Sequence, residues 1–282
     1  MYSPSLEETI FSNRFIARTV AVTLTALVLI VIGHLVFVIL FPYSPLFIRF
    51  QVNVDQEGNF VTWWNSTLNL AAGIAAFLIA WLLARRPKDN RRSNRAWIAM
   101  GAMLVYIGID DAAQIHEHTY GIFARVNAFL GRWVPYILEI GWYLWIPVLG
   151  IPAVILLLIV AKAIYKDLQA NRTALILFGC GIVLLLTNPI TEYVQAKLAE
   201  PETPAGAPLF APQLLETDRD AWLQMQIADL TQEASEIAAV SCLLLSFLCL
   251  GREYLAPQKV SRTEPAFDRR HSMRHNAYVD AG

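Results

Sequence analysis

The chain has 282 residues, of which 56% are hydrophobic and only 16% are charged, and its mean hydropathy is +0.45. Because a soluble domain carries about 25% charged residues, this composition argues against an ordinary soluble enzyme and predicts an integral membrane protein. The net charge of −1 gives no indication of nucleic-acid binding.

Six segments have the length and apolar character of a transmembrane helix, which needs about 20 predominantly apolar residues. They predict an all-α fold, a polytopic membrane helical bundle. The predicted spans are 19–42, 61–84, 96–118, 134–161, 172–198 and 222–250. The remaining parts are an N-terminal segment, 1–18, and a polar tail, 251–282, whose composition predicts disorder.

The distribution of lysine and arginine predicts that both ends of the chain are cytoplasmic. Of the 22 basic residues, 17 lie in the N-terminal segment, in the loops after the second and fourth spans, and in the tail. Basic loops stay on the cytoplasmic side of a membrane. We therefore expect a multi-pass protein of a bacterial cytoplasmic membrane, in contact with the lipid bilayer. The pattern does not indicate an oligomeric state.

The segment between the first two spans, residues 43–60, differs from the rest of the chain. Apolar and polar residues alternate from Phe47 to Val54, and the turn-forming residues Asp55–Asn59 follow. This pattern predicts a short external hairpin or lid.

Five of the six predicted spans carry their polar side chains on one stripe, when residues are placed at about 100° intervals around the helix. The third and fifth spans run outward and carry the stripe late, whereas the second, fourth and sixth run inward and carry it early. All five stripes are therefore expected in the outer half of the bilayer. Their members are Asn65 and Asn69; Asp110, Asp111, Gln114, Glu117 and His118; Tyr136, Glu139 and Tyr143; Asn188, Thr191, Glu192 and Gln195; and Gln226, Asp229, Gln232, Glu233 and Glu236.

The carboxylates of these stripes predict a functional site, because an Asp near the centre of a membrane helix costs about 2.5–3.5 kcal/mol. Partial protonation, water or a bound cation would lower that cost. Carboxylates with imidazoles suit zinc, iron or manganese. The predicted metal ligands are Asp110, Asp111, His116, His118, Glu192 and Glu236, with Gln114, Glu139, Asn188, Asp229 and Asn65 as supporting polar residues.

Two alternatives to the metal site stay open. The first is a wet acidic cavity for protons or for a cationic or polar ligand, and the second is a set of helix ends whose carboxylates face water. His34, in the middle of the first span, is predicted to be a hydrogen-bonded packing residue and not a ligand.

Two stretches resemble a group of uncharacterised bacterial multi-pass membrane proteins. They are Val54–Asn59, which leads through Thr62–Ser66 into the second span, and Ile109–Glu117 at the end of the third. The group usually has Asp-Glu at Asp110-Asp111 and Pro at Val61. The resemblance covers about residues 50–120, supports the topology, and implies importance for Asp110, Asp111, His116 and Glu117. It implies no activity.

Three functions fit this pattern. The first is a metal-dependent membrane enzyme acting on a lipid-like substrate, with Glu117 or Glu233 as the catalytic general base. The second is a proton- or cation-coupled transporter, which the scarcity of ionisable groups in the inner halves of the spans disfavours. The third is a structural or assembly subunit. Whether the acidic stripes meet separates the third hypothesis from the other two.

Overall fold

The computed structural model describes residues 5–54, 58–85, 91–113, 115, 151–199 and 219–255, and gives the backbone alone at 189, 192–199 and 221. All regular structure within these ranges is helical, and no strand occurs in them. The helices in chain order are α1 (Leu6–Ile10), α2 (Asn13–His34), α3 (Leu46–Val52), α4 (Phe60–Ala84), α5 (Arg91–Ala113), α6 (Ile151–Leu168), α7 (Arg172–Ala199) and α8 (Arg219–Leu255). The π-helical segment Leu35–Leu40 continues α2.

Four helices in the described part of the chain are long and apolar enough to cross a membrane. They are α2 with its π-helical extension, α4, α5, and α8 from Trp222 onward, and they overlap the first, second, third and sixth predicted spans. The apolar stretch of α7, Arg172–Asn188, is shorter. Most of the predicted fourth span lies outside the described residues, and α6 continues it from Ile151 to Leu168.

The segment 43–60 contains a helix, so the predicted β-hairpin is wrong. Leu46–Val52 forms α3, and Pro45 immediately precedes it. A strand needs a partner for its backbone groups, whereas a helix satisfies them internally, which favours the helix beside a membrane. The predicted turn occurs at Gly58, whose φ of 73° suits glycine. Asn59 then caps α4 by accepting from two amides of its first turn, at 2.9 and 3.1 Å.

Glycines bring the long helices into close contact in two pairs. Between α4 and α5, a Cβ added at Gly101 would lie 3.0 Å from the carbonyl oxygen of Gly73. Between α7 and α8, a Cβ added at Gly181 would lie 2.9 Å from the carbonyl oxygen of Ala239. Small residues allow backbones to approach in this way in membrane bundles. The α4/α5 pair and the α7/α8 pair are thus the two tightly packed units of the described bundle.

The two pairs meet in an apolar core between α4, α5 and α8. Trp97 of α5 and Phe247 of α8 are both fully buried and pack edge to face, with ring centroids 5.1 Å apart. Ile79 of α4 is also fully buried in this core. Such pairs of aromatic rings contribute about 0.5–1.5 kcal/mol beyond their buried area.

Polar contacts join the helix ends at one side of the bundle. Trp97 Nε1 donates to Asp167 Oδ2 at 2.9 Å, which links the start of α5 to the end of α6. Asn171 Nδ2 donates to the carbonyl oxygen of Cys249 at 3.3 Å, which links the start of α7 to the end of α8. We call this side, formed by the C-terminal ends of α4, α6 and α8 and the N-terminal ends of α5 and α7, the basic face.

The N-terminal segment docks on the same side. The ring of Phe11 is 1% exposed and lies where a side chain at Gly251 would otherwise be, since a Cβ there would approach the ring to 2.1 Å. Glu7 lies 4.0 Å from Arg85, at the end of α4. The N-terminal segment therefore lies at the basic face.

Candidate functional site

The polar stripes of four helices meet at a common level of the bundle. Asn65 of α4, Asp111 of α5, Asn188 of α7 and Glu236 of α8 each lie 16–20 residues from the basic-face end of their helix. At a rise of about 1.5 Å per residue, that places them about 24–30 Å from the basic face. The hydrocarbon core of a bilayer is about 30 Å thick, so this level would lie near the opposite surface of a membrane that had the basic face at its other surface.

Asp111 receives two asparagine side chains from α4. Asn65 Nδ2 donates to Asp111 Oδ2 at 3.1 Å, and Asn69 Nδ2 reaches the same oxygen at 3.4 Å. The contact depends on Gly108, because a Cβ there would lie 2.9 Å from the carbonyl oxygen of Ser66. The close packing of α4 on α5 therefore holds Asp111 against the two amides.

Glu236 receives amides from both helix pairs. Asn188 Nδ2 donates to Glu236 Oε1 at 2.8 Å, and Asn65 Nδ2 donates to Glu236 Oε2 at 3.2 Å. Ser235 Oγ in turn donates to Asn188 Oδ1 at 2.8 Å. Both carboxylate oxygens of Glu236 are thus hydrogen-bonded, and the Asn188 amide is held at both ends.

Asn65 is the centre of this amide–carboxylate network, which we define as Asn65, Asn69, Asp111, Asn188, Ser235 and Glu236. One amide nitrogen donates to Asp111 of one helix pair and to Glu236 of the other. Hydrogen bonds to a charged group contribute about 1.5–3 kcal/mol each. The side chain therefore connects the two pairs and holds two carboxylates within two hydrogen-bond lengths of each other.

Two acceptors of the network have no hydrogen-bond partner in the part of the chain that the structure describes. They are Oδ1 of Asn65 and Oδ1 of Asn69, on side chains that are 4% and 1% exposed. Most buried polar atoms in proteins are hydrogen-bonded, and leaving one unsatisfied costs about 1–3 kcal/mol. The network therefore has unused capacity to bind a cation or a hydrogen-bond donor.

Four of the residues predicted from the sequence are brought together here, namely Asn65, Asp111, Asn188 and Glu236. Asp229 is buried two turns before Glu236 on α8. It accepts from Gln226 Nε2 at 3.5 Å. Asp110 and Glu233 are half-buried, and each has an interaction within the structure. Their predicted roles as ligand and general base stay predictions.

The other predicted site residues cannot be placed in the network. Those outside the described residues are Gln114, His116, Glu117, His118 and Glu139. Glu192 lies on α7, where only the backbone is described. The catalytic role predicted for Glu117 and the metal-ligand roles predicted for the histidines and Glu192 therefore stay predictions.

Two members of the network were not predicted as site residues. Asn69 lies one turn after Asn65 on the same stripe, so its position on the helix was the available signal. Ser235 precedes Glu236 and contacts the site only because α7 packs against α8. A serine within a polar stripe carries no signal of that contact in the sequence.

The predicted zinc, iron or manganese site is not supported by the described residues. Within the described ranges, no group of three or more His, Cys, Asp or Glu side chains lies close enough together to hold a metal ion. The network instead offers only oxygen ligands and amide donors. Carboxylate and amide oxygens suit hard cations such as magnesium, calcium or manganese, whereas zinc more often takes nitrogen or sulfur ligands.

His34 lies at a second polar contact, where α2 becomes π-helical. It is fully buried, and its Nδ1 accepts from the backbone N–H of Val54 at 3.3 Å. This bond ties the segment after α3 to α2, which agrees with the predicted role of a hydrogen-bonded packing residue.

Comparison with known proteins gives a family without an assigned role. A family model described as "Domain of unknown function (DUF8692)" matches residues 20–250. No curated protein matches the chain, and no solved structure matches it. The matched region includes every helix from α3 to α7, most of α2 and α8, and the whole amide–carboxylate network.

Proposed function

We propose that this chain, which belongs to the DUF8692 family, is a cation-coupled membrane protein of the transporter class, with six spans and both ends in the cytoplasm. Several apolar helices support a membrane-embedded protein. Its cation site, in this proposal, is the amide–carboxylate network, and the cation is a hard inorganic ion that binds between Asp111 and Glu236.

The observation that carries this proposal is the position of Asn65 between two carboxylates. Its amide nitrogen lies 3.1 Å from Asp111 Oδ2 and 3.2 Å from Glu236 Oε2, where a cation would contact the same two oxygens. The side-chain oxygens of Asn65 and Asn69, which have no partner among the described residues, are neutral ligands of the type that hard cations accept.

The network also suggests how binding would be coupled to movement. Asn65 and Asp111 belong to the α4/α5 pair, whereas Glu236 and Asn188 belong to the α7/α8 pair. A cation between the carboxylates would replace the amide link between the pairs, so its binding would act directly on the contact between them. A ligand shifts such an equilibrium only through its different affinity for the two states.

Access to the site is proposed from the surface opposite to the basic face. Toward the basic face, fully buried apolar side chains such as Ile79, Trp97 and Phe247 fill the described core. Passage of an ion in that direction would require the helix pairs to separate, as in alternating access.

The metal-dependent enzyme acting on a lipid-like substrate stays a prediction, since Glu117, His116 and His118 lie outside the described residues.

The proposed topology predicts which positions a membrane-impermeant maleimide can label in intact expressing cells. In a variant whose three native cysteines are replaced by alanine, Tyr43→Cys should be labelled, because Tyr43 is 85% exposed on the outer side of α2. Ser5→Cys and Ala281→Cys should react only after the membrane is permeabilised. Labelling of either terminal cysteine in intact cells would contradict the proposed orientation.

The proposed site predicts that a cation stabilises the purified protein. Chloride salts of sodium, potassium, magnesium and calcium are compared with N-methylglucamine chloride at equal ionic strength, and the melting temperature is measured. A cation at about 100 times its Kd should stabilise the fold by about 2.7 kcal/mol. Asp111→Asn combined with Glu236→Gln should abolish the shift, because the two ligand charges are removed.

Asp220→Asn is the matched control, since it removes a carboxylate at the exposed start of α8. It should retain the full cation-dependent shift. If no cation raises the melting temperature above N-methylglucamine, or if the double variant responds as strongly as the parent, the network is not the cation site.

A further inference from the structure

The orientation of the Asn65 side-chain amide determines what the network can bind. With Nδ2 toward Asp111 and Glu236, the amide donates to both carboxylates and occupies the place between them. A cation cannot occupy that place beside an N–H group, because both are positively polarised. Cation binding therefore requires this amide to move or to rotate.

Rotation of the amide by 180° exchanges two groups of nearly equal size, so the surrounding packing need not change. Within the part of the chain that the structure describes, Oδ1 has no hydrogen-bond partner before the rotation, so the rotation breaks no described bond on that side of the amide. The two bonds from Nδ2 to the carboxylates are lost, but the cation replaces them. Oδ1 then points between the carboxylates as a neutral third ligand.

The second unpartnered oxygen gives the rotated amide a new acceptor. Asn69 lies four residues after Asn65, and side chains at this spacing are neighbours on a helix surface. Its Oδ1 is buried and has no partner in the described structure, whereas its Nδ2 is already engaged with Asp111 and with the backbone oxygen of Asn65. After rotation, Asn65 Nδ2 needs an acceptor, and Asn69 Oδ1, one turn further along the same face of α4, is the one that this inference assigns to it. That pairing would use both acceptors in the rotated state.

We infer that Asn65 is a two-position amide switch: it links the helix pairs when the site is empty and rotates to become a ligand when a cation binds. This inference rests on the proposed cation site and names the residue that couples binding to the contact between the pairs. The empty state leaves two buried acceptors unsatisfied, and the bound state satisfies them.

Asn188 provides the contrasting case within the same network. Its Nδ2 also donates to Glu236, but its Oδ1 accepts from Ser235 Oγ. Rotation of this amide would break bonds at both ends and turn Oδ1 toward a carboxylate. Asn188 is therefore held in one orientation by contacts at both ends of its amide.

The test compares Asn65→Asp with Thr67→Asp, using the cation that stabilises the parent protein and measuring its Kd from the melting temperature. Each variant adds one carboxylate to α4. Asn65→Asp places an acceptor permanently between the two carboxylates and should lower the Kd by about tenfold or more, equivalent to about 1.4 kcal/mol. Thr67→Asp should change the Kd by much less, because Thr67 lies about 200° around the helix from Asn65 and its hydroxyl donates within α4, to the carbonyl oxygen of Trp63.

A second measurement keeps the test decisive if Asn65→Asp does not fold. The side-chain amide signal of Asn65 is assigned by ¹⁵N-asparagine labelling of the parent protein and of Asn65→Ser. It should shift on cation addition, whereas the Asn188 amide signal should shift much less. Equal gains in affinity for the two Asp variants, or an Asn65 signal that the bound cation leaves unchanged, would overturn the switch. Absence of any cation-dependent stabilisation of the parent would instead overturn the proposed site itself.

Discussion

Asn65→Leu is expected to lower the free energy of unfolding by about 3 kcal/mol, because it removes the donor shared by Asp111 and Glu236. Hydrogen bonds to charged groups contribute about 1.5–3 kcal/mol each in water, and polar contacts between membrane helices contribute less, about 0.6 kcal/mol on average. The larger value is expected here because two carboxylates lose a donor at once. The measurement is a denaturant titration in mixed detergent micelles.

Thr67→Val is the matched control on the same helix. Thr67 is half-buried, and its hydroxyl donates to the carbonyl oxygen of Trp63 within α4 at 2.8 Å. Its replacement should change stability by less than about 0.5 kcal/mol. A double-mutant cycle that combines Asn65→Leu with Glu236→Gln should give a coupling energy of at least about 1 kcal/mol. Additive effects of Asn65→Leu and Glu236→Gln would contradict the direct contact.

Gly181→Leu is expected to destabilise the protein by about 3 kcal/mol, at the upper end of the cost of overpacking. A Cβ at this position would lie 2.9 Å from the carbonyl oxygen of Ala239, and backbone atoms cannot move aside as a side-chain tip can. Separation of α7 from α8 would also pull Asn188 away from Glu236. The variant should therefore lose most of the cation-dependent rise in melting temperature as well as stability.

Gly179→Leu tests the same chemical change two residues earlier on α7. Gly179 is exposed, and no atom lies within 4 Å of a Cβ added there. Leucine has a higher helix propensity than glycine, by up to about 1 kcal/mol, so this variant should be neutral or slightly stabilised. Equal loss of stability in the two variants would show that the contact between α7 and Ala239 is not the cause.

Much of the candidate site was predictable from helical periodicity alone. Asn65, Asp111, Asn188 and Glu236 fall on single polar stripes at matching distances from the basic ends of their helices, and the structure brings these four together. The spacing could not identify Ser235 as a partner of Asn188. That contact depends on how closely α7 approaches α8, which is set by Gly181 and Ala239.

The sequence by itself indicated a helical membrane protein and the height of each polar residue along its helix. In a membrane, the backbone N–H and C=O groups of a long apolar segment must be hydrogen-bonded internally, which a helix achieves within one segment. The periodicity of that helix then places each polar residue at a definite height and on a definite face. Those constraints are local, since each follows from residues within a single helix.

Only the tertiary structure decided which stripes touch and how the amides are directed. Asn65 and Glu236 are 171 positions apart in the chain, and their contact follows from the packing of the two helix pairs. The segment after α2 formed a helix and not a hairpin for a related reason, because no strand lies beside it in the described structure to accept its backbone groups. Contacts between distant segments depend on three-dimensional packing, which the pattern along one helix does not contain.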